Sequence, residues 1–287
     1  MLSAANIRNL VRLLVPPLLA RPLARLWPSG ERPSLEYAPD RWRTLEKIGG
    51  TAGWNTESVV HAERAKWEAF RNNLSGAGPL GFSHENNDLT VTSNISFHNI
   101  HLTYAYVLAL AAWQKPKVSV LDWGGGLGHY YAIGKAMFPD LGFDYYCHEV
   151  PLMCEHGKEL CPEVHFCSDD TCLQRSYDLI MINGSLGYFP DWKEILERIA
   201  ACVKNLLFLT RVLVVEKGPS FVVLQRTEGY NYHSNMLTQV FNRHELLGVL
   251  ERTGLKMLRE FVVENAPTIA GAPEQCVESG WLFKREA

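Results

Sequence analysis

Seven residues, Asp122-Trp-Gly-Gly-Gly-Leu-Gly128, constrain this chain more than any other stretch. They follow a short apolar run, residues 118–121, and precede a helical pattern that reaches Met137. Glycine enters conformations closed to other residues and lets a ligand approach the backbone. The first amides of the following helix then face that ligand. Strand, glycine turn and helix in succession are the unit from which ligand-binding α/β sheets are built. The spacing also narrows the ligand. A dinucleotide fingerprint starting at Gly124 would place its last glycine at position 129, where His129 stands. No Gly-Lys-Ser/Thr follows, so the loop is not a phosphate cradle of the nucleoside-triphosphatase kind.

Downstream, strand and helix patterns alternate. Residues 143–147, 164–167, 177–183, 206–215, 255–263 and 281–284 read as strands. Trp192, Ile195, Leu196, Ile199 and Val203 share one helical face. Asn242 opens a further helix with Glu245 as a capping-box acid, and Gly254 ends it. Such alternation predicts a mainly parallel sheet covered on both faces. Upstream, residues 31–60 read as irregular, and residues 59–73 and 97–113 as helices. The expected organisation is a basic amphipathic segment over 1–30, a mostly helical extension or lid over 31–115, and a ligand-binding domain over 116–287.

Composition removes several classes. An apolar share of 47% and a charged share of 21% are ordinary globular usage. The 28 basic and 31 acidic residues leave a net charge of −3, so no nucleic acid partner is expected. Seven cysteines with no Cys-x-x-Cys read as free thiols of a reducing compartment. Cys147, Cys154, Cys161, Cys167 and Cys172 crowd one stretch with His148, His156 and His165, yet lack the close pairs of a zinc site. With no Asp-x-Asp or carboxylate dyad either, no metal is expected.

The first thirty residues contain no acid; Glu31 is the first. Ile7, Leu10, Val11 and Leu14 repeat at helical spacing with Arg8 and Arg12 on another face, and Pro16-Pro17 breaks the helix. The longest uncharged apolar run, residues 13–20, is too short to span a bilayer. Three readings stay open: peripheral contact with an anionic membrane surface, a helix packed on the protein's own body, and a transit peptide.

The loop and the acids around it resemble the class I S-adenosylmethionine-dependent methyltransferases. The carriers are the acid-x-Gly-x-Gly-x-Gly pattern over residues 122–128 and Glu149, twenty-one residues after Gly128. The resemblance implies an α/β, Rossmann-like, seven-stranded sheet with a helical N-terminal extension, and S-adenosyl-L-methionine as cofactor. It implies that Asp122, Gly124, Gly126 and Gly128 meet the amino-acid end of the cofactor and that Glu149 accepts the ribose hydroxyls. Asp169 and Asp170 fall on the adenine side, and Asn183 and Ser185 at the end of the fourth strand. Roughly residues 90–287 look more narrowly like bacterial methyltransferases associated with surface-polysaccharide genes. That likeness rests on Tyr130 and Tyr131 after the loop, Ser185-Leu-Gly-Tyr188, the apolar strand ending at Arg211, and Gly280-Trp-Leu-Phe283. Asn183 departs from it, standing where the pattern has a serine.

Methyl transfer is an in-line displacement at a cationic sulfonium, and an oxygen acceptor also benefits from a base. His129 opens a helix, where the dipole favours neutral imidazole, and is a candidate base. So is His233, in the polar-aromatic insert with Tyr230 and Tyr232. Tyr188 could orient acceptor or methyl group. Tyr130 and Arg211 are substrate-side candidates, with Arg211 either binding an anionic acceptor or pairing with Glu216. His98 and His101, three apart on one helix, read as solvent-facing or core-packing residues rather than site residues. The expected protein is a cytoplasmic methyltransferase acting on oxygen of a small or carbohydrate-like acceptor, such as a lipid-linked glycan, with residues 1–30 holding it near the inner membrane face. The alternatives are methyl transfer to nitrogen or carbon of an unrelated metabolite, and a non-catalytic scaffold at the membrane.

Overall fold

The structure is a computed structural model that describes residues 34–43, 53–227, 230, 232–263 and 267–286. The basic segment over 1–30, with its membrane and packing readings, lies outside the described residues. The apolar run before the glycine loop forms β2 (Lys117–Trp123), whose last four residues are buried. It pairs in parallel with β3 (Gly142–His148) on one side and β5 (Tyr177–Asn183) on the other. β4 (His165–Cys167) continues the sheet beyond β3, and β6 (Val203–Val215) continues it beyond β5. β10 (Val277–Arg285) runs antiparallel to β6, and β9 (Leu255–Val262) runs antiparallel to β10. The order is β4-β3-β2-β5-β6-β10-β9, with β10 alone reversed. These are the seven strands read from the sequence.

Three further strands were not anticipated. β8 (Asn235–Asn242) pairs in parallel with the end of β6, β7 (Phe221–Arg226) lies antiparallel to β8, and β1 (Leu35–Tyr37) lies antiparallel to β7. They bring the sheet to ten strands. β1 falls in the stretch expected to be irregular. It has three residues, and its edge is made by pairing Leu35 with Gln225, far away in sequence.

Helices cover both faces, as a parallel sheet requires. α1 (Glu57–Leu74), α2 (Ile95–Ala111), α3 (His129–Met137) and α4 (Pro151–Leu160) share one core with one side of the sheet. α5 (Trp192–Ala201) and α6 (Arg243–Arg252) share the other. β5 shows why the centre is stable: Leu179, Ile180 and Ile182 are fully withdrawn from water, each worth about 1.5–3 kcal/mol. α5 turns Trp192, Ile195, Leu196 and Ile199 inward, as their spacing predicts. Asn242 caps α6 by accepting from Glu245 N at 3.0 Å. The reciprocal half of the expected capping box is not made. The Asn242 amide donates to Ser220 Oγ, and the Glu245 carboxylate meets Ser220 and Lys193 instead.

The carboxyl ends of β2, β3, β5 and β6 lie at one edge of the sheet. β7 and β8 rise beside that edge, and residues 53–94 cross over it. Among the described residues a cavity opens between them.

Candidate functional site

Backbone geometry builds the floor of the cavity. Gly124, Gly126 and Gly128 all have positive φ, at 79°, 61° and 92°. At Gly124 a Cβ would come within 2.3 Å of Ser185 Cβ, so the loop presses against the turn after β5. Gly125, the degenerate position of the motif, is equally constrained: a Cβ there would lie 2.4 Å from Asp122 Oδ2. The Ser185 hydroxyl donates to the Trp123 carbonyl and ties the two loops together. Glu149 closes the next strand, with its Oε1 accepting from Gly126 N at 3.0 Å and its Oε2 from Val150 N at 2.8 Å. Burial raises its pKa, against the pull of those two amides.

The cavity measures about 690 Å³, inside the range of roughly 300–1,000 Å³ typical of small-molecule sites. One end is lined by Gly124, Gly125, Gly126, His148, Glu149 and Asn183. The other is lined by Tyr130, Tyr188, Tyr230, Tyr232, His84 and Gln225. Tyr188 donates to Gln225 Oε1 at 2.7 Å, and Trp54 packs edge-on against its ring at 5.3 Å. Arg211 sits at the junction. Its φ of 55° is left-handed, a conformation that costs a non-glycine residue about 1–3 kcal/mol and clusters at functional sites. The bend aims its guanidinium at Glu85, and both Nη–Oε distances are 2.9 Å. Burial would raise the Glu85 pKa, but the guanidinium overrides it and holds the carboxyl down at about 2.

Of the candidate site residues, Gly124, Gly126, Glu149, Asn183, Ser185, Tyr130, Tyr188 and Arg211 all line the cavity. Several other candidates do not. Asp122 is fully buried beneath the loop, where Tyr145 donates to its Oδ2 at 2.9 Å. It supports the turn from below, and burial pushes its pKa up to about 7. Gly128 faces Cys161 and Phe166, away from the cavity. Asp169 caps a short 3-10 turn by accepting from Thr171 N, and Asp170 pairs on the surface with Arg198 at 2.6 Å. Their neighbour Ser168 lines the cavity instead.

Both candidate bases are also displaced. His233 is exposed, while Tyr230 and Tyr232 beside it face inward. His129, 1% exposed, points into the layer between α1 and α3, where its ring stacks on His84 at 3.9 Å. Arg211 pairs with Glu85 and not with Glu216, which lies 3.8 Å from Arg243. His98 and His101 both bond the backbone of Leu80, in keeping with their packing reading.

The residues missed by the sequence reading are Trp54, Glu63, His84, Glu85 and Gln225. All but Gln225 come from the extension before β2. No local pattern marks them, because the partners that hold them at the cavity are far off in sequence, from 37 positions for Gln225–Tyr188 to 169 for Glu63–Tyr232.

The sequence over residues 98–260 matches the family described as a methyltransferase domain, which is more than half of the chain. The chain belongs to that family. Its cofactor is S-adenosylmethionine, and the residues present fit it: a glycine cradle that a Cβ would fill at Gly124, a carboxylate at Glu149, and a buried Asn183 Oδ1 with no partner of its own. No curated protein matches the sequence. Among solved structures, the methyltransferase is similar to human N-acetylserotonin methyltransferase in complex with S-adenosylmethionine, at 15% identity and TM-score 0.48, over 87% of this chain and 64% of that one. It is similar also to the magnesium protoporphyrin IX methyltransferase of Synechocystis PCC 6803, at 13% identity and TM-score 0.46, over 78% and 97%. A third is the 1,6-didemethyltoxoflavin-N1-methyltransferase of Burkholderia thailandensis, at 16% identity and TM-score 0.45, over 83% and 94%.

Proposed function

We propose that this methyltransferase acts on a hydroxyl of an uncharged, polar acceptor of small-molecule or carbohydrate-like kind. The observation that carries the reading is the pairing of both arginines that line the cavity. Arg211 is held by Glu85, and Arg226 by Glu36 at 2.7 Å. Each guanidinium charge is countered by a carboxylate, although the buried Nε of Arg226 keeps an unused donor, so the anionic acceptor considered for Arg211 finds no uncompensated positive charge at these two residues. What remains at that end is tyrosine rings with hydroxyl tips and the Gln225 amide. Such amphipathic groups suit a flat apolar face edged with hydroxyls.

When bound, S-adenosylmethionine supplies an electrophilic methyl group on a cationic sulfur. Glu149 would hold its hydroxyl donors, and Asn183 Oδ1 would accept from it at the junction of the two ends. Tyr130 and Tyr188 would hold the acceptor hydroxyl in line, where orientation contributes most of the rate. The wall of Tyr230, Tyr232 and Trp54 excludes water that would compete as acceptor. A lipid-linked acceptor, with residues 1–30 at an anionic membrane surface, extends this reading. It agrees with the absence, among the described residues, of any helix long and apolar enough to cross a membrane.

The test is transfer of a labelled methyl group to a panel of neutral glycans and polyols, set beside their phosphorylated and carboxylated counterparts. The reading expects product only from the neutral set. Transfer confined to the anionic set would overturn it.

A further inference from the structure

One cluster of polar side chains at the cavity has no use in the mechanism above. Glu63 projects from α1, His84 from the irregular segment after Phe82, and His129 from the first position of α3. Glu63 Oε1 accepts from Lys66 Nζ at 2.7 Å and from the Tyr232 hydroxyl. Its Oε2 meets only His129 Nε2, at 3.6 Å, beyond hydrogen-bonding reach. His129 Nδ1 is buried with no partner at all. His84 makes no hydrogen bond; its imidazole stacks on His129 with the planes 16° apart. A buried polar group left unpaired costs about 1–3 kcal/mol, and His129 carries such a nitrogen on a ring set beside a carboxylate and an imidazole that make no hydrogen bond to it.

We propose that Glu63, His84 and His129 form a binding site for a divalent transition-metal cation of the zinc and cobalt class. One ligand atom from each residue lies within 4.8 Å of the other two. A central point is then at most about 2.8 Å from each, against bonds of about 2.0–2.2 Å to imidazole nitrogen and carboxylate oxygen. In distance alone, shifts of less than about 1 Å close the gap. Two imidazoles and one carboxylate are the donor set that borderline metals prefer, and the hard cations magnesium and calcium do not. Lys66 and Tyr232 occupy Oε1 and leave Oε2 for the cation. Three protein ligands leave a fourth position, and with Glu63 and His84 lining the cavity that position opens toward the acceptor end.

The stacked rings set one condition. A cation cannot lie in both ring planes as they stand, so binding turns His84 about its Cβ–Cγ bond. His84 is the ring free to do so, being half-buried and held by no hydrogen bond. No spacing in the sequence signals this site, because its ligands stand at positions 63, 84 and 129. The expectation of no metal considered only closely spaced motifs. Among the described residues the Cys147 to Cys172 run assembles no comparable group. The proposal does not rest on the choice of acceptor.

The experiment is a cobalt(II) titration of the full chain, freed of metal by a chelator and followed by visible absorption, with zinc(II) calorimetry alongside. The expected result is one equivalent bound with the weak bands of a nitrogen and oxygen ligand set, and without the intense near-ultraviolet band of a thiolate. His84→Ala should weaken binding at least tenfold while the far-ultraviolet spectrum stays unchanged. Glu63→Gln should do the same, and Cys167→Ser should leave binding as it is. His84→Ala carries the test if Glu63→Gln fails to fold. No stoichiometric binding, a thiolate spectrum, or affinity indifferent to His84→Ala would each overturn the proposal.

Discussion

The two ends of the cavity are made in different ways. The end proposed to take the donor is made of backbone: Gly124 and Gly126 at positive φ, two amides on Glu149, and the last residues of adjacent strands. The end proposed to take the acceptor is made of side chains drawn from distant segments, among them Glu85 on Arg211, Tyr188 on Gln225 and Tyr232 on Glu63. A backbone site is specified within a few residues and tolerates almost no change. A side-chain site can be rebuilt for another acceptor while the sheet stays as it is. Damage at the first should therefore appear in donor binding, and damage at the second in stability and acceptor choice.

The largest effect is expected at the acceptor end. Glu85→Ala leaves the half-buried Arg211 guanidinium without its partner, and loss of one member of a fully buried pair costs about 3–5 kcal/mol, so about 3 kcal/mol is expected here. Chemical denaturation should show it as a drop in midpoint with the slope unchanged. A loss under about 1 kcal/mol would mean that the pair is effectively solvated. Gly124→Ala comes next, at about 2–4 kcal/mol, because the residue must hold φ 79° while its methyl meets Ser185. Donor affinity should fall with it, and that joint loss distinguishes a backbone-made site from a side-chain-made one.

Asp122→Asn sharpens the comparison from below the loop. Burial raises the Asp122 carboxyl to about 7, so the folded state holds its proton more tightly than the unfolded state does. That contribution is fully present below about pH 4, the unfolded value, and is lost as the pH rises toward 7. The asparagine variant cannot ionise. It should match wild type at pH 4 and exceed it at pH 8 by on the order of 1–2 kcal/mol, each kcal/mol raising Tm by roughly 2–4 °C. Equal melting profiles across that range would place the ionised carboxylate in the native loop. The smallest effect is Tyr188→Phe, which leaves Gln225 Oε1 without its donor and costs about 0.5–1.5 kcal/mol. Its larger consequence should be an altered rate with the acceptor while donor affinity is unchanged.

The same contrast explains what could be read in advance. The seven-stranded sheet was legible because each strand is an apolar run punctuated by glycine or polar turns, and because parallel strands need helices between them. The glycine loop and Glu149 were legible because their geometry depends on neighbours in sequence. β1 was not, since three residues become a strand only when β7 lies beside them. His129 was placed on the right helix, yet position alone could not show that its ring turns toward α1 and not into the cavity. Arg211 lies in an apolar strand, where a buried charge needs a partner or a ligand. Its partner stands 126 residues away on an irregular segment, so the nearer Glu216 looked equally suitable.

The central claim is that the glycine-built end binds S-adenosylmethionine independently of the side-chain-built end. Calorimetric titration of the full chain with S-adenosylhomocysteine, on wild type, Glu149→Ala and Tyr188→Phe, tests it directly. The account predicts one site per chain in wild type. It predicts at least tenfold weaker binding in Glu149→Ala, about 1.4 kcal/mol, and unchanged binding in Tyr188→Phe. A folded wild type that binds nothing, or a Glu149→Ala variant that binds as tightly as wild type, would contradict it.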